Sequence, residues 1–227
     1  MRPPIEFLLP PQIGVELIYS FVLIVCSLMV YYSTKEMYEL SSYKGIKYFR
    51  ESFLFFAAAY FFRYFIQFIL SFFNLRDILE FSPMYLGWIS LFVFLYASSM
   101  AVFYLLYSVM WKTWNHSRSK LFLFNVLAII MAVVGSSFRN IGVSLLINVI
   151  LLAFVLFVLL IAKRDSKDKK TGKGLFVIYL LLFIFWILNV VYILIPQFLE
   201  LYKLAIYLIS ILLFMIILYK VLKKTGN

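Results

Sequence analysis

Residues 140–162 read NIGVSLLINVILLAFVLFVLLIA, 23 positions without a single charged side chain. At 1.5 Å per residue a helix of that length spans about 34 Å, enough to cross a hydrocarbon core of about 30 Å. The run is continuously apolar. A membrane β-strand would alternate polar and apolar over about 10 residues, so the segment reads as a transmembrane helix.

Outward from it, the same signature recurs. Uncharged or nearly uncharged stretches fall at approximately 13–32, 53–73, 84–111, 121–138, 140–162, 174–198 and 204–219. Composition agrees: 65% of the 227 residues are hydrophobic and only 14% charged, against about 45–50% and 25% in ordinary soluble domains. The expected fold is all-α, a polytopic integral membrane protein forming one seven-helix domain over residues 1–227. Pro3, Pro4, Pro10 and Pro11 interrupt the first dozen residues. No separate cleavable signal sequence is read there, and the first helix is expected to be an uncleaved anchor.

Orientation follows from the basic residues. Alternate connections, in 35–50, 112–120, 163–173 and the tail after Tyr219, hold 16 Lys and Arg, whereas the opposite set holds four: Arg2, Arg76, Arg139 and Lys203. Positive residues accumulate on the cytoplasmic side, so the amino end is expected outside and the carboxyl end inside. The net charge of +11 therefore marks contact with anionic lipid headgroups, with room for an acidic protein partner at the segment 163–173 (KRDSKDKKTGK), and does not mark nucleic acid. The bias toward Phe, Ile, Tyr and Lys suits an AT-rich microbial genome, and the expected location is a multi-pass protein of a microbial plasma membrane.

Charge within a span is the best functional pointer in such a chain, because it must be offset by pairing or by purpose. Arg63 is central to 53–73, and an arginine at mid-helix costs roughly 2.5–3.5 kcal/mol of insertion free energy. On an ideal helix Ser52, Tyr60, Arg63, Gln67, Ser71 and Asn74 share one sector about 100° wide. Counting residues inward from the outer boundary puts Arg63, Gln67, Glu16, Ser90, Asn148 and Asn189 in the same half of the bilayer. Asn125 alone lies near the inner end. The expectation is an outward-facing polar pocket formed by Arg63, Gln67, Tyr60, Glu16, Asn148, Asn189 and Trp186, with Tyr64 and Trp88 nearby and Glu16 available as counter-ion.

Several functions lose ground on the same residues. Retinal chemistry needs a lysine inside a late helix, and 204–219 has none. The third span ends Tyr107–Ser108–Val109–Met110–Trp111, without the acidic–Arg–Tyr triplet of G-protein-coupled receptors. Catalysis at depth needs a Ser/His or paired-Asp arrangement, and no Asp or His lies in any span. Cys26 and His116 are the only cysteine and histidine, which disfavours disulfides and Cys/His metal sites. No cofactor is expected. Two readings survive: a non-enzymatic ligand-binding or sensing module, and a small-solute transporter or channel. The second needs a polar route past Ser52 and Asn125 toward the inner side.

Overall fold

The computed structural model describes residues 11–65, 83–114, 118–138, 140–168, 172–196 and 199–225, and every regular element among them is helical. In chain order these are α1 (Pro11–Ser41), α2 (Lys44–Tyr60), α3 (Pro83–Met110), α4 (Arg118–Phe138), α5 (Ile141–Asp168), α6 (Gly172–Leu194) and α7 (Glu200–Thr225). α2 continues into one π-helical turn, Phe61–Phe65. Six segments are long and apolar enough to cross a membrane: Gly14–Ser41, Gly87–Met110, Ser119–Phe138, Ile141–Arg164, Gly174–Leu194 and Leu201–Thr225. The protein is thus a helical, multi-pass membrane protein. Of the expected span 53–73, the residues after Phe65, Gln67 included, lie outside the described residues, as does Arg139 between α4 and α5.

The helices outrun the apolar stretches that announce them. α1 keeps its hydrogen-bonding pattern two turns beyond Tyr32, through STKEMYELS, where Lys35 and Glu39 sit one turn apart at 3.8 Å. Hydropathy ends where lipid would end; a helix ends only where the backbone is stopped. Here the stop is Ser42, at φ 51°, whose N–H closes onto the Tyr38 carbonyl at 2.8 Å.

Six helices pack side by side in a closed ring, α1–α2–α3–α5–α6–α7, and α4 lies outside it against α3. The ring is filled by aromatic side chains from helices that face one another across it. Phe53 and Phe56 of α2, Phe185 of α6 and Phe214 of α7 are all essentially inaccessible, with Phe185 and Phe214 rings 4.8 Å apart and Phe56 6.1 Å from Phe214. Their edge-on arrangement is the one aromatic quadrupoles favour, worth about 0.5–1.5 kcal/mol per pair beyond simple burial. α4 attaches through small residues: Ala128, Ala132 and Ser136 are fully buried at intervals of four, while Phe122, Ile130 and Phe138 on the other face are exposed. That is the small-residue contact by which membrane helices approach closely.

One end of the bundle is tied by contacts between successive helices. Arg50 of α2 donates to the Tyr31 hydroxyl of α1 at 3.0 Å, and Tyr43 meets Trp111, in the turn after α3, edge-on at 4.9 Å. Ser108 and Tyr179 hydroxyls meet at 3.0 Å. Gly45 permits this closeness, because a Cβ there would fall 2.9 Å from the Ser108 backbone carbonyl. The basic helix ends gather at this end, and Arg63 lies toward the other.

Candidate functional site

The site begins with a backbone irregularity. In Phe61–Phe65 the helix widens to π geometry, a feature often found where a side chain has a special task. At this turn the Ser90 hydroxyl of α3 donates to the Phe62 carbonyl. Tyr60, at the last α-helical position, reaches Tyr19 of α1 and Asn189 of α6, and both Tyr60 and Arg63 meet Phe94 of α3.

Arg63 is half-buried, with its guanidinium carbon 4.6 Å from the Phe94 ring centroid and 4.9 Å from that of Tyr64. Cation–π attraction of this kind is worth about 0.5–2 kcal/mol, depending on desolvation. It offsets part of the insertion cost without using up the five N–H donors. Beside the guanidinium lies a cleft of about 490 Å³ between α3, α5 and α6, with Gly135 of α4 also on its wall. Volumes of roughly 300–1,000 Å³ are typical of small-molecule sites. Its α5 wall is polar, Asn140, Ser144 and Asn148 recurring every four residues, and its α3 wall is apolar, with Leu91, Phe94 and Leu95.

Of the residues expected from sequence, Arg63, Asn148 and Asn189 line this cleft together. Tyr60 and Trp186 stand behind it, each only 5% exposed. Tyr60 directs its hydroxyl at Asn189 Oδ1 (3.5 Å) and lies 3.3 Å from the Tyr19 hydroxyl. Trp186 donates its indole N–H to the Asn148 backbone carbonyl at 3.3 Å. Gln67 lies outside the described residues. Trp88 stacks on Phe92 at 5.7 Å and is partly exposed.

Glu16 has a different partner from the one expected. The ion pairs among the described residues are Lys35–Glu39 and Arg50–Glu51, both toward the basic end. Glu16 instead lies 3.1 Å from the Tyr207 hydroxyl, which is 2.7 Å from that of Tyr192. A hydroxyl has one proton to give, so the chain runs Tyr192 to Tyr207 to the carboxylate. Tyr192 lines the large cleft, and this chain connects it to α1. A second hollow, against Tyr19, Tyr64, Tyr207 and Ser210, measures about 10 Å³, room for no more than about one water.

Phe94, Ser144, Asn140 and Tyr192 complete the site and were not among the expected residues. The recurrence at 140, 144 and 148 is legible in the sequence as one helical face; the partnership of Phe94 with Arg63 has no local signal. Among the described residues no group of three His, Cys, Asp or Glu could hold a metal ion. What the cleft presents, among the described residues, is one cation, three amides, two serine hydroxyls, the Tyr192 ring and apolar wall.

No family model matches the chain. It is similar along nearly its whole length to an uncharacterized protein of Archaeoglobus fulgidus, 29% identical over 232 residues, covering 98% of this chain and 95% of the relative. No solved structure matches.

Proposed function

We propose that this protein is a non-enzymatic ligand-binding or sensing module of a cell membrane, crossing it seven times with its amino end outside, and that its ligand site is the outward-facing cleft at Arg63. The observation that carries the reading is an arginine within the apolar bundle, cushioned on two aromatic rings, unpaired with any described carboxylate, beside a cleft of about 490 Å³. A charge kept at such a depth, with no described acceptor on its donors, is suited to recognition. The basic end, in the cytoplasm on this reading, rests on anionic headgroups and is where a protein partner would receive a signal.

Binding is favoured over transport by what lies beneath the cleft. Ser52 donates to the Phe49 carbonyl at 2.6 Å, and Asn125 is held between the Tyr96 hydroxyl (2.8 Å) and the Leu121 carbonyl (2.9 Å). Between them and Arg63 the ring is packed with Phe53, Phe56, Phe185 and Phe214. No polar stair descends among these residues.

Thiol accessibility tests this. With Cys26 replaced by Ala, Ser144→Cys in the cleft and Leu151→Cys in the core are treated in vesicles with a membrane-impermeant thiol reagent on either side. Modification of Ser144→Cys from the amino-end side only, with Leu151→Cys inert, is expected. Protection of Ser144→Cys from both sides would remove the pocket, and labelling from the carboxyl-end side would instead favour a transport cycle.

A further inference from the structure

Resting on that reading of the cleft, we infer the chemical class of its ligand: an amphiphilic organic monoanion, its acid group on Arg63 and its apolar body along Leu91, Leu95, Ile141 and Ile193. Three observations converge on it.

The first is charge. Arg63 is the one ionisable cation among the described lining residues, and no described carboxylate lies within 4.0 Å of it, since Glu16 is engaged by Tyr207. A guanidinium in a partly dry cleft leaves a net positive charge that a ligand of charge −1 neutralises. A dianion would leave one negative charge uncompensated at low dielectric, where such charges are costly.

The second is donor geometry. Tyr64 and Phe94 hold the cation through their ring faces and accept none of its in-line N–H bonds. Among the described residues no acceptor takes the guanidinium fork, which suits a planar two-oxygen acceptor such as a carboxylate or a phosphodiester, bound bidentately.

The third is the two-sided wall. Leu91, Leu95, Ile141 and Ile193 are far more apolar surface than a bare inorganic anion can use, and Ile141, 72% exposed, stands at the rim. On the same cleft, Asn148 donates one amide proton to the Ser144 carbonyl at 2.9 Å and keeps its side-chain oxygen for a ligand hydroxyl or amide. An acid group joined to an apolar arm uses both walls; neither acetate nor a neutral alcohol does.

The test uses the full chain in phosphatidylcholine nanodiscs with radiolabelled decanoate as probe. Saturable binding is expected, competed by unlabelled decanoate and at least tenfold more weakly by acetate, inorganic phosphate or decanol. Arg63→Gln should weaken binding at least tenfold. Ile141→Asp, which puts a negative charge on the exposed rim and leaves the packed ring alone, should weaken it at least threefold even if the Arg63 variant folds poorly. Added phosphatidylglycerol separates the sources: displacement of decanoate identifies a membrane lipid acid as the occupant, and no displacement identifies a free carboxylate, either result supporting the class. Acetate, phosphate or decanol competing as well as decanoate would overturn it, as would absence of decanoate binding. The thiol labelling of Ser144→Cys is read separately. A labelled cleft that ignores decanoate sinks the ligand class alone, whereas an unlabelled one sinks the pocket as well.

Discussion

The two halves of this bundle are built from the same helices and solve opposite problems. Toward the basic end, α2, α6 and α7 meet through Phe53, Phe56, Phe185 and Phe214, each 0–1% exposed. Toward the other end the same α2 unwinds into a π turn, and its neighbours part around Arg63 to leave about 490 Å³ open. In lipid, helices gain little from hydrophobic transfer when they associate, so close packing and hydrogen bonds hold them together. The half filled with rings is therefore where stability resides. The half with the cleft is held by tyrosine rings and hydroxyls together, Tyr19, Tyr60, Tyr192 and Tyr207 meeting both through their ring faces or edges and through hydrogen bonds. The contrast teaches that small hydroxyls such as Ser52 and Ser136 pack fully within the bundle, whereas the charge at Arg63 sits where the helices stand apart.

The comparison is broken most directly by removing a ring from the packed half. Phe185→Ala would open a hole bounded by Phe56, Tyr60, Trp186 and Phe214, whose rings lie 4.8–6.4 Å from Phe185. A loss of about 3–4 kcal/mol is expected, read as a lowered midpoint of unfolding in a mild-to-denaturing detergent series. Unchanged stability would mean that the quartet is not the keystone of the ring.

In the cleft half the corresponding device is a single hydrogen bond. Ser90 is 3% exposed and its hydroxyl donates to the Phe62 carbonyl in the π turn. Ser90→Ala removes that hydrogen bond, a penalty of about 1–2 kcal/mol, roughly half that of the ring deletion. Its larger consequence should be local. With the turn free to rewind, Arg63 shifts in register, and decanoate affinity falls more than the stability loss alone explains. Equal stability loss with unaltered binding would show that the π turn does not set the position of the cation.

These two halves were unequally legible in the sequence. Continuous apolar runs disclose spans because the solvent they match is a slab of known thickness, and for the same reason they miss the helix beyond the slab, as at α1 through Ser41. Arg63, Asn148 and Asn189 stand out because polarity in a span is conspicuous. What could not be read was direction. An ideal helical wheel places Tyr60 and Arg63 in one sector and both do meet Phe94, yet Phe94 itself has no polar signal to announce it. Glu16 and Arg63 look like partners by depth, yet Tyr207, 191 residues away in sequence, takes the carboxylate. Which of several polar groups at equal depth meet depends on ring order, and that order depends on how whole helix faces pack.

The smallest expected effect belongs outside both halves and calibrates them. Ser42 ends α1 in left-handed backbone, φ 51°, a conformation that costs a residue with a Cβ roughly 1 kcal/mol. Glycine adopts it freely, although it brings greater chain entropy to the unfolded state. Ser42→Gly should therefore stabilise the protein by about 0.5 kcal/mol in the same detergent series. Because Ser42 is exposed at the basic end, away from Arg63, decanoate affinity should not move. A change in binding on this substitution would mean that the turn between α1 and α2 is mechanically coupled to the cleft, and the division into a packed half and an open half would have to give way to a bundle that shifts as one body.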